Sequence, residues 1–224
     1  LADIFFSEGV IYERMQQYDS MYLALKQALQ FNPNHAEALD KIWLCIEMSR
    51  KFDESIQLYN QIIDHAPYSY KAWYNLGHAY NGLKMYEKAI EAFEFSYVIR
   101  EKFELAYISS VDVLFKINDY DRAIECLKTG LEFVPKSFDF CIFLGKSYEA
   151  KENYIDAKSA YIKAARINDK SGEAFFRLGE CYAFEERWVH ALSAYENAYK
   201  LDSFNAEYAA AVAEANYQLD NNEK

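Results

Sequence analysis

A period of 34 residues runs through this sequence and constrains its fold more than any other feature. Aromatic residues hold one position of the period without a break, at Tyr18, Phe52, Tyr86, Tyr120, Tyr154 and Trp188. Another position carries the alanines Ala89, Ala123, Ala157 and Ala191. Glycines and prolines keep the same spacing, at Gly9, Gly77, Gly145 and Gly179 and at Pro33, Pro67 and Pro135. Because several residue types stay in one phase, the chain consists of repeated supersecondary units.

Each unit contains two amphipathic stripes that indicate a pair of helices. In the third copy the first stripe consists of Trp73, Leu76, Gly77 and Tyr80, spaced i, i+3, i+4 and i+7. The second stripe consists of Tyr86, Ala89, Phe93 and Ser96. A short turn separates the two, so the unit is predicted to be a helix A and a helix B packed antiparallel. Since one hairpin cannot bury both of its faces, the copies must stack.

Numbered from Ala2, the unit occurs six times, at 2–35, 36–69, 70–103, 104–137, 138–171 and 172–205. We expect residues 1–205 to form a single array. Residues 206–224 begin like another helix A and end in a polar stretch. They are predicted to be a capping helix that covers the last repeat, or else a truncated seventh repeat.

The pattern resembles the tetratricopeptide repeat (TPR) family, whose motif places Trp, Leu-Gly, Tyr, Ala and an aromatic residue at fixed intervals. The third, fifth and sixth copies match it, with Leu76-Gly77, Leu144-Gly145 and Leu178-Gly179 at its centre. The resemblance implies an all-α fold, a right-handed α-α superhelix of six TPR helix-turn-helix repeats with helix A lining the concave side. Trp43 and Val111 stand where the motif has Gly, and the first two copies are expected to pack most loosely.

Charge and composition exclude several classes of partner. The chain carries 24 Lys and Arg against 35 Asp and Glu, a formal net charge of −11. Nucleic acid and anionic membrane surfaces need a basic face, so neither is an expected partner. No stretch approaches 18 apolar residues, and no membrane insertion is expected. Reduced cytoplasm is the default location, although residue 1 is Leu and a targeting signal could have been removed.

Searches for catalytic and metal-binding motifs favour a non-enzymatic chain without cofactors. Gly145-Lys146-Ser147 imitates the end of a phosphate-binding loop, but Phe140 stands where that motif needs Gly. No His pair has metal-ligand spacing. The four cysteines form no CxxC motif and are predicted to be small buried hydrophobic residues, at Cys45, Cys126, Cys141 and Cys181. We expect no enzyme, no metal and no cofactor.

The candidate binding site lies on the face of helix A opposite its core stripe, at unit positions 2, 5, 6, 9 and 13. Two binding sites known from the TPR family are absent from this face. One is the clamp for a terminal carboxylate, and the other is the asparagine ladder of the sugar transferases. What remains is a mixed apolar and charged groove, predicted at Tyr74, Asn75, His78, Ile108, Asp112, Ile142, Lys146, Phe176, Arg177 and Glu180. An alternative is that position 5, which holds Tyr74, Ile108, Ile142 and Phe176, packs against neighbouring helices.

The sequence therefore predicts a TPR scaffold that binds a protein or peptide in its concave groove, as a module of a larger protein. Two alternatives remain open. The segment could instead drive self-assembly into a homo-oligomer, or serve as an accessory domain of an enzyme or regulator whose active part lies outside it.

Overall fold

The computed structural model describes residues 1–222, which contain thirteen α-helices and no strand, and the predicted all-α class is confirmed. The A helices are α1 (Ala2–Arg14), α3 (Ala36–Ser49), α5 (Tyr70–Gly82), α7 (Glu104–Lys116), α9 (Phe138–Ala150) and α11 (Gly172–Phe184). The B helices are α2 (Tyr18–Phe31), α4 (Phe52–His65), α6 (Tyr86–Ile99), α8 (Tyr120–Phe133), α10 (Tyr154–Ile167) and α12 (Trp188–Leu201). The last helix is α13 (Ala206–Asn222), and residues 223 and 224 of the predicted cap lie outside the described residues.

The helix boundaries follow the sequence period. Every A helix begins at the first position of its unit, and every B helix begins at the aromatic residue of the unbroken series. Pro33, Pro67 and Pro135 fall between helices, where a missing N–H breaks no helical hydrogen bond. No helix in residues 1–222 combines the length and the apolar character needed to cross a bilayer.

The chain divides into two compact units, Leu1–Ile117 and Asn118–Lys224. In unit 1, Met21, Ile42 and Tyr59 are fully buried in one apolar core. In unit 2, Cys141, Tyr161 and Cys181 are buried in one cluster, and α13 packs against α12 and buries Ala215. That residues 1–205 form one continuous array stays a prediction.

Glycine at unit position 8 holds helix A close to helix B. A Cβ atom at Gly77 would lie 2.5 Å from the ring of Phe93, and one at Gly179 would lie 2.5 Å from the ring of Tyr195. Gly145 faces Tyr161 in the same way. The aromatic ring stands 16 residues after the glycine each time, at unit position 24. No other residue lets the ring rest on the backbone of helix A, which is why the motif needs Gly here.

The turn between helices A and B has one conformation in every repeat. Its residue at unit position 15 has a positive φ between 53° and 60°, at Gln16, Arg50, Lys84, Asn118, Glu152 and Glu186. None of these residues is Gly, although side chains with a Cβ atom disfavour this region by about 1–2 kcal/mol. The stacked helix pairs therefore hold the turn in a conformation that the local sequence does not prefer.

The second repeat departs from this regular spacing. Trp43 occupies position 8 of α3, where a side chain of that size cannot fit between the helices. As a result α3 and α4 run further apart than α1 and α2, or α5 and α6. The hydroxyl groups of Tyr22 and Tyr59 are buried in this region without a hydrogen-bond partner among the described residues. The expectation that the first two copies pack most loosely thus agrees with the second copy, but it is wrong for the first copy, in which α1 and α2 pack closely.

We expect Tyr22→Phe to leave the free energy of unfolding unchanged or to raise it, because it removes a buried hydroxyl that has no hydrogen-bond partner among the described residues. Tyr161 is the control, since its ring is also fully buried but its hydroxyl donates to Glu149 at 2.6 Å. Tyr161→Phe should lower the free energy of unfolding by about 1–2 kcal/mol. Urea unfolding followed by circular dichroism compares the two variants, and equal losses would contradict this account.

Candidate peptide-binding groove

Unit 1 contains an open groove of about 550 Å³. Its walls come from α3, from α5, from the turn that follows α6 and from the start of α7. Three of the predicted site residues line it, namely Tyr74, Asn75 and His78. The groove has the size of a site for two or three amino-acid side chains.

Aromatic rings in edge-to-face or tilted contact form the apolar wall of the groove. The ring of His78 lies 4.9 Å from the ring of Trp43 and 4.5 Å from that of Tyr74, measured between centroids. Tyr74 in turn lies 5.1 Å from Phe103. These arrangements are favourable for aromatic pairs and keep the wall rigid. Trp43 was not among the predicted site residues, since the sequence marks it only as a departure from the repeat motif, yet its ring lines the groove beside His78.

Asn75 has a structural role at the base of the groove. Its side chain is only 4% exposed, and its amide group donates to the backbone carbonyl of Leu39 at 2.7 Å. This hydrogen bond ties α5 to α3 across two repeats. The Ser109 hydroxyl lies 3.4 Å from the Tyr74 hydroxyl and 3.5 Å from Nε2 of His78. Helix α5, which carries Tyr74 and His78, is therefore held on one side by the hydrogen bond to α3 and on the other side by Ser109 of α7.

The rim of the groove is cationic. Lys71 forms an ion pair with Asp40 at 2.6 Å. Arg100 lies over the ring of Tyr70, with its guanidinium carbon 4.8 Å from the centroid, and donates to the Tyr70 hydroxyl at 2.9 Å. Lys102 follows in the same turn and also lines the groove.

Arg100 and Lys102 were not among the predicted site residues because they lie in the turn between repeats. Only positions on the A helices were predicted to bind, since the concave face of a repeat array is expected there. The sequence did contain a feature that could have pointed to these two residues. They are two cations just before α7, in a chain that is acidic overall.

Two further predicted residues, Ile108 and Asp112, lie on α7 beyond the groove wall, to which α7 contributes Leu105. Ile108 is half-buried and Asp112 is exposed. Burial raises the pKa of the Tyr74 phenol, and the Asp112 carboxylate adds to this while Ser109 opposes it. Asp112 therefore acts on the groove through its charge.

Unit 2 has a separate groove of about 410 Å³ that includes Arg177 and Glu180. Arg177 donates to Glu180 at 2.9 Å. Glu149 also lines this groove. Burial raises the pKa of the Glu180 carboxyl, the charges of Glu149 and Glu207 raise it further, and Arg177 opposes the rise. The charged groups of this groove are thus largely committed to one another.

The remaining predicted residues of unit 2 do not face open space in this way. Ile142 is 4% exposed and Phe176 is 7% exposed. The Phe176 ring packs 5.0 Å from the ring of Tyr208. Lys146 forms an ion pair with Glu173 at 2.7 Å. The burial of Ile142 and Phe176 fits the alternative that position 5 packs between helices.

Within residues 1–222 no group of three or more His, Cys, Asp or Glu side chains is placed to hold a metal ion. All four cysteines are buried and free. Burial raises the pKa of the Cys45 and Cys181 thiols to about 12. Thiols in this state are poor nucleophiles and poor metal ligands.

The His78 side chain makes the stability of unit 1 depend on pH. Burial lowers its pKa from 6.5 to about 4, and the charge of Lys116 adds to this effect. The unfolded chain therefore takes up a proton near pH 6.5, while the folded chain stays neutral at this site until about pH 4. The free energy of unfolding should fall by about 1–3 kcal/mol over this interval as the pH is lowered.

Urea unfolding of the parent and of His78→Asn between pH 7 and pH 4 measures this contribution. We expect the variant to lose part of the pH dependence, whereas His65→Asn, a change at an exposed histidine of α4, should keep it. Identical pH profiles for His78→Asn and the parent would contradict the assignment.

Comparison with known proteins places the chain among repeat proteins of the same architecture. A BBSome complex member, BBS4 of Mus musculus, is 26% identical over 147 residues, which are 66% of this chain and 27% of that protein. The chain thus spans about a quarter of the length of that relative.

Two solved structures have the same fold. The C-terminal part of a TPR repeat-containing protein from Cytophaga hutchinsonii aligns with a TM-score of 0.72 at 17% identity, covering 95% of this chain and 88% of that one. YrrB, described as a TPR protein with an unusual peptide-binding site, aligns with a TM-score of 0.63 at 18% identity, covering 84% and 97%. At these identities the likeness concerns the fold alone.

Family models described as tetratricopeptide repeat match residues 2–35, 70–103 and 144–206, which together are more than half of the chain. These matches include the three repeats whose glycines receive the aromatic rings of Phe93, Tyr161 and Tyr195. The chain belongs to the tetratricopeptide repeat family.

Proposed function

We propose that this chain is a non-enzymatic module that binds a peptide or a protein segment in the groove of unit 1. The observation that carries the proposal is an open cavity of about 550 Å³ with a rigid aromatic wall and a cationic rim. Apolar and aromatic walls with a few charged groups at the edge are typical of sites that hold side chains of a peptide. Of the predicted groove residues, Tyr74 is the one we assign to ligand contact, and His78 packs beside it in the aromatic wall.

The family supports this class of function. TPR arrays are scaffolds for protein–protein interaction, and the relative named above belongs to a multiprotein complex, the BBSome. YrrB is described as having a peptide-binding site. Because the chain spans about a quarter of the mouse protein, what the parent protein does beyond this binding step belongs to the proposal as well.

The chemistry of the groove favours binding over catalysis. Asp40 is paired with Lys71, and the other charges of the rim are cations that stay charged at neutral pH. His78 is neutral at pH 7, but its ring is enclosed by Trp43 and Tyr74. A general acid or base needs open access to the substrate, which this enclosure restricts.

Self-association is a second candidate, and one observation favours it. Helix α1 leaves Ile4 65% and Ile11 56% exposed, and Met15, the residue that caps its C-terminus, is also 56% exposed. Their spacing of i, i+7 and i+11 places them along one side of the helix. An apolar stripe of this kind is typical of a surface that another protein or a second copy covers.

Selection of random 12-residue peptides on the immobilised chain tests the leading proposal. Peptides enriched on the parent should lose at least tenfold in affinity for Tyr74→Ala, because aromatic side chains in such walls often contribute 1.4 kcal/mol or more. Phe95→Ala is the matched control, since Phe95 is a 52% exposed aromatic residue on α6 that stacks on Trp73 outside the groove.

Circular dichroism should show the same helix content for both variants. If the enriched peptides bind Tyr74→Ala and the parent equally, the groove is not the site. If no peptide is enriched and light scattering shows a concentration-dependent dimer that Ile11→Glu abolishes, self-association replaces the proposal.

A further inference from the structure

We infer that the groove of unit 1 takes an acidic peptide segment, in which side-chain carboxylates flank an aromatic residue. This inference rests on the proposed function and deepens it by naming the chemistry of the ligand. It is drawn from the charged residues of the rim and from which of them already form ion pairs within unit 1.

The rim carries more positive than negative charge, against the trend of the whole chain. Lys71, Arg100 and Lys102 line the groove together with a single carboxylate, Asp40. The chain as a whole has a net charge of −11. Because Lys71 and Asp40 neutralise each other at 2.6 Å, two positive charges remain on the rim.

Those two remaining charges have no carboxylate beside them in the part of the chain that the structure describes. Neither Arg100 nor Lys102 forms an ion pair there, whereas Lys41 and Lys71 are each paired with a carboxylate at 2.6 Å. Both side chains are exposed. An acidic ligand would therefore gain their attraction without having to displace an existing partner.

Arg100 is also oriented for recognition. Its guanidinium group is held over the Tyr70 ring at 4.8 Å, and one of its nitrogens donates to the Tyr70 hydroxyl at 2.9 Å. The other N–H groups of the guanidinium stay available. A planar guanidinium fixed in this way can form the paired hydrogen bonds that carboxylates accept.

The aromatic wall next to the rim specifies the second part of the ligand. Tyr74 and Phe103 meet at 5.1 Å in an edge-to-face arrangement, and Leu105 on the same wall is 54% exposed. An aromatic side chain entering the groove would extend this edge-to-face packing. Two unpaired cations are too few to neutralise a nucleic-acid backbone, which makes a peptide the favoured anion.

The site differs from a clamp for a terminal carboxylate. Its cations come from the first turn of α5 and from the turn before α7, and Asp40 occupies a position on α3 where that clamp would need a cation. We therefore expect the ligand to use side-chain carboxylates. Peptides with blocked ends serve as the probe for this reason.

The test uses fluorescence anisotropy of the full chain with labelled, N-acetylated and C-amidated peptides. The acidic probe is Asp-Glu-Phe-Asp-Glu, the neutral one is Asn-Gln-Phe-Asn-Gln and the basic one is Lys-Lys-Phe-Lys-Lys. We expect the acidic peptide to bind at least tenfold more tightly than the other two at low salt. Its affinity should fall as the ionic strength is raised, because exposed charge pairs are screened.

Matched charge variants locate the effect. Arg100→Gln with Lys102→Gln should weaken binding of the acidic peptide at least tenfold. Lys84→Gln with Lys88→Gln removes the same charge from exposed sites outside the groove and should change the affinity less than twofold. Asp40→Asn should strengthen binding severalfold, because it removes the only carboxylate from the rim.

The inference is overturned if both double variants weaken binding equally, if the neutral peptide binds as well as the acidic one, or if a single-stranded oligonucleotide competes better than the acidic peptide. Selected peptides that need Tyr74 but carry no acidic residues would leave the groove as the site and refute only its charge preference. Loss of any dependence on Tyr74 would refute the proposed function itself.

Discussion

Three of the six repeats depend on one packing contact, an aromatic ring of helix B resting on a glycine of helix A. The contact recurs at Gly77 with Phe93 and at Gly179 with Tyr195, and a single added Cβ atom would come within 2.5 Å of the ring in both cases. It sets the distance between the two helices of a repeat. Because protein interiors are packed to the density of organic crystals, that distance is carried into the stacking of the next repeat.

The groove of unit 1 adjoins a repeat that lacks this contact. The second repeat keeps the aromatic residue, Tyr59, but has Trp43 where the glycine should stand. Helix α3 lies apart from α4, and the indole contacts the ring of Phe52 at 6.1 Å and that of His78 at 4.9 Å, measured between centroids. The groove thus forms beside a repeat that departs from the regular helix spacing, and Trp43 supplies part of its lining.

Much of the fold was predictable from the sequence, because the fold repeats a local pattern. The period of 34 gave the start of every A helix, and the unbroken aromatic series gave the start of every B helix. The left-handed turn residues, among them Arg50 and Glu186, were not predictable, since neither residue type favours a positive φ. Packing of the neighbouring helices imposes that conformation, and local propensity carries no sign of it.

The site was less predictable than the fold, for physical reasons. The helical face predicted Tyr74 and His78 as groove residues, and both line the cavity, while their part in binding stays a prediction. The same rule applied to Ile142 and Phe176 gave residues that the structure buries, because the stacking of repeats also covers the flanks of helix A. Arg100 and Lys102 reach the groove through the tertiary arrangement of an inter-repeat turn, which periodicity does not describe.

The central claim is that Trp43 opens the second repeat and thereby creates the groove. A crystal structure of Trp43→Gly beside the parent tests it directly, because the substitution places opposite Tyr59 the glycine that the third, fifth and sixth repeats have opposite an aromatic ring. The account predicts that α3 and α4 close to the spacing of α5 and α6, with the Tyr59 ring resting on the backbone at residue 43 and the groove reduced in volume. Unchanged spacing between α3 and α4 and an unchanged groove would contradict it.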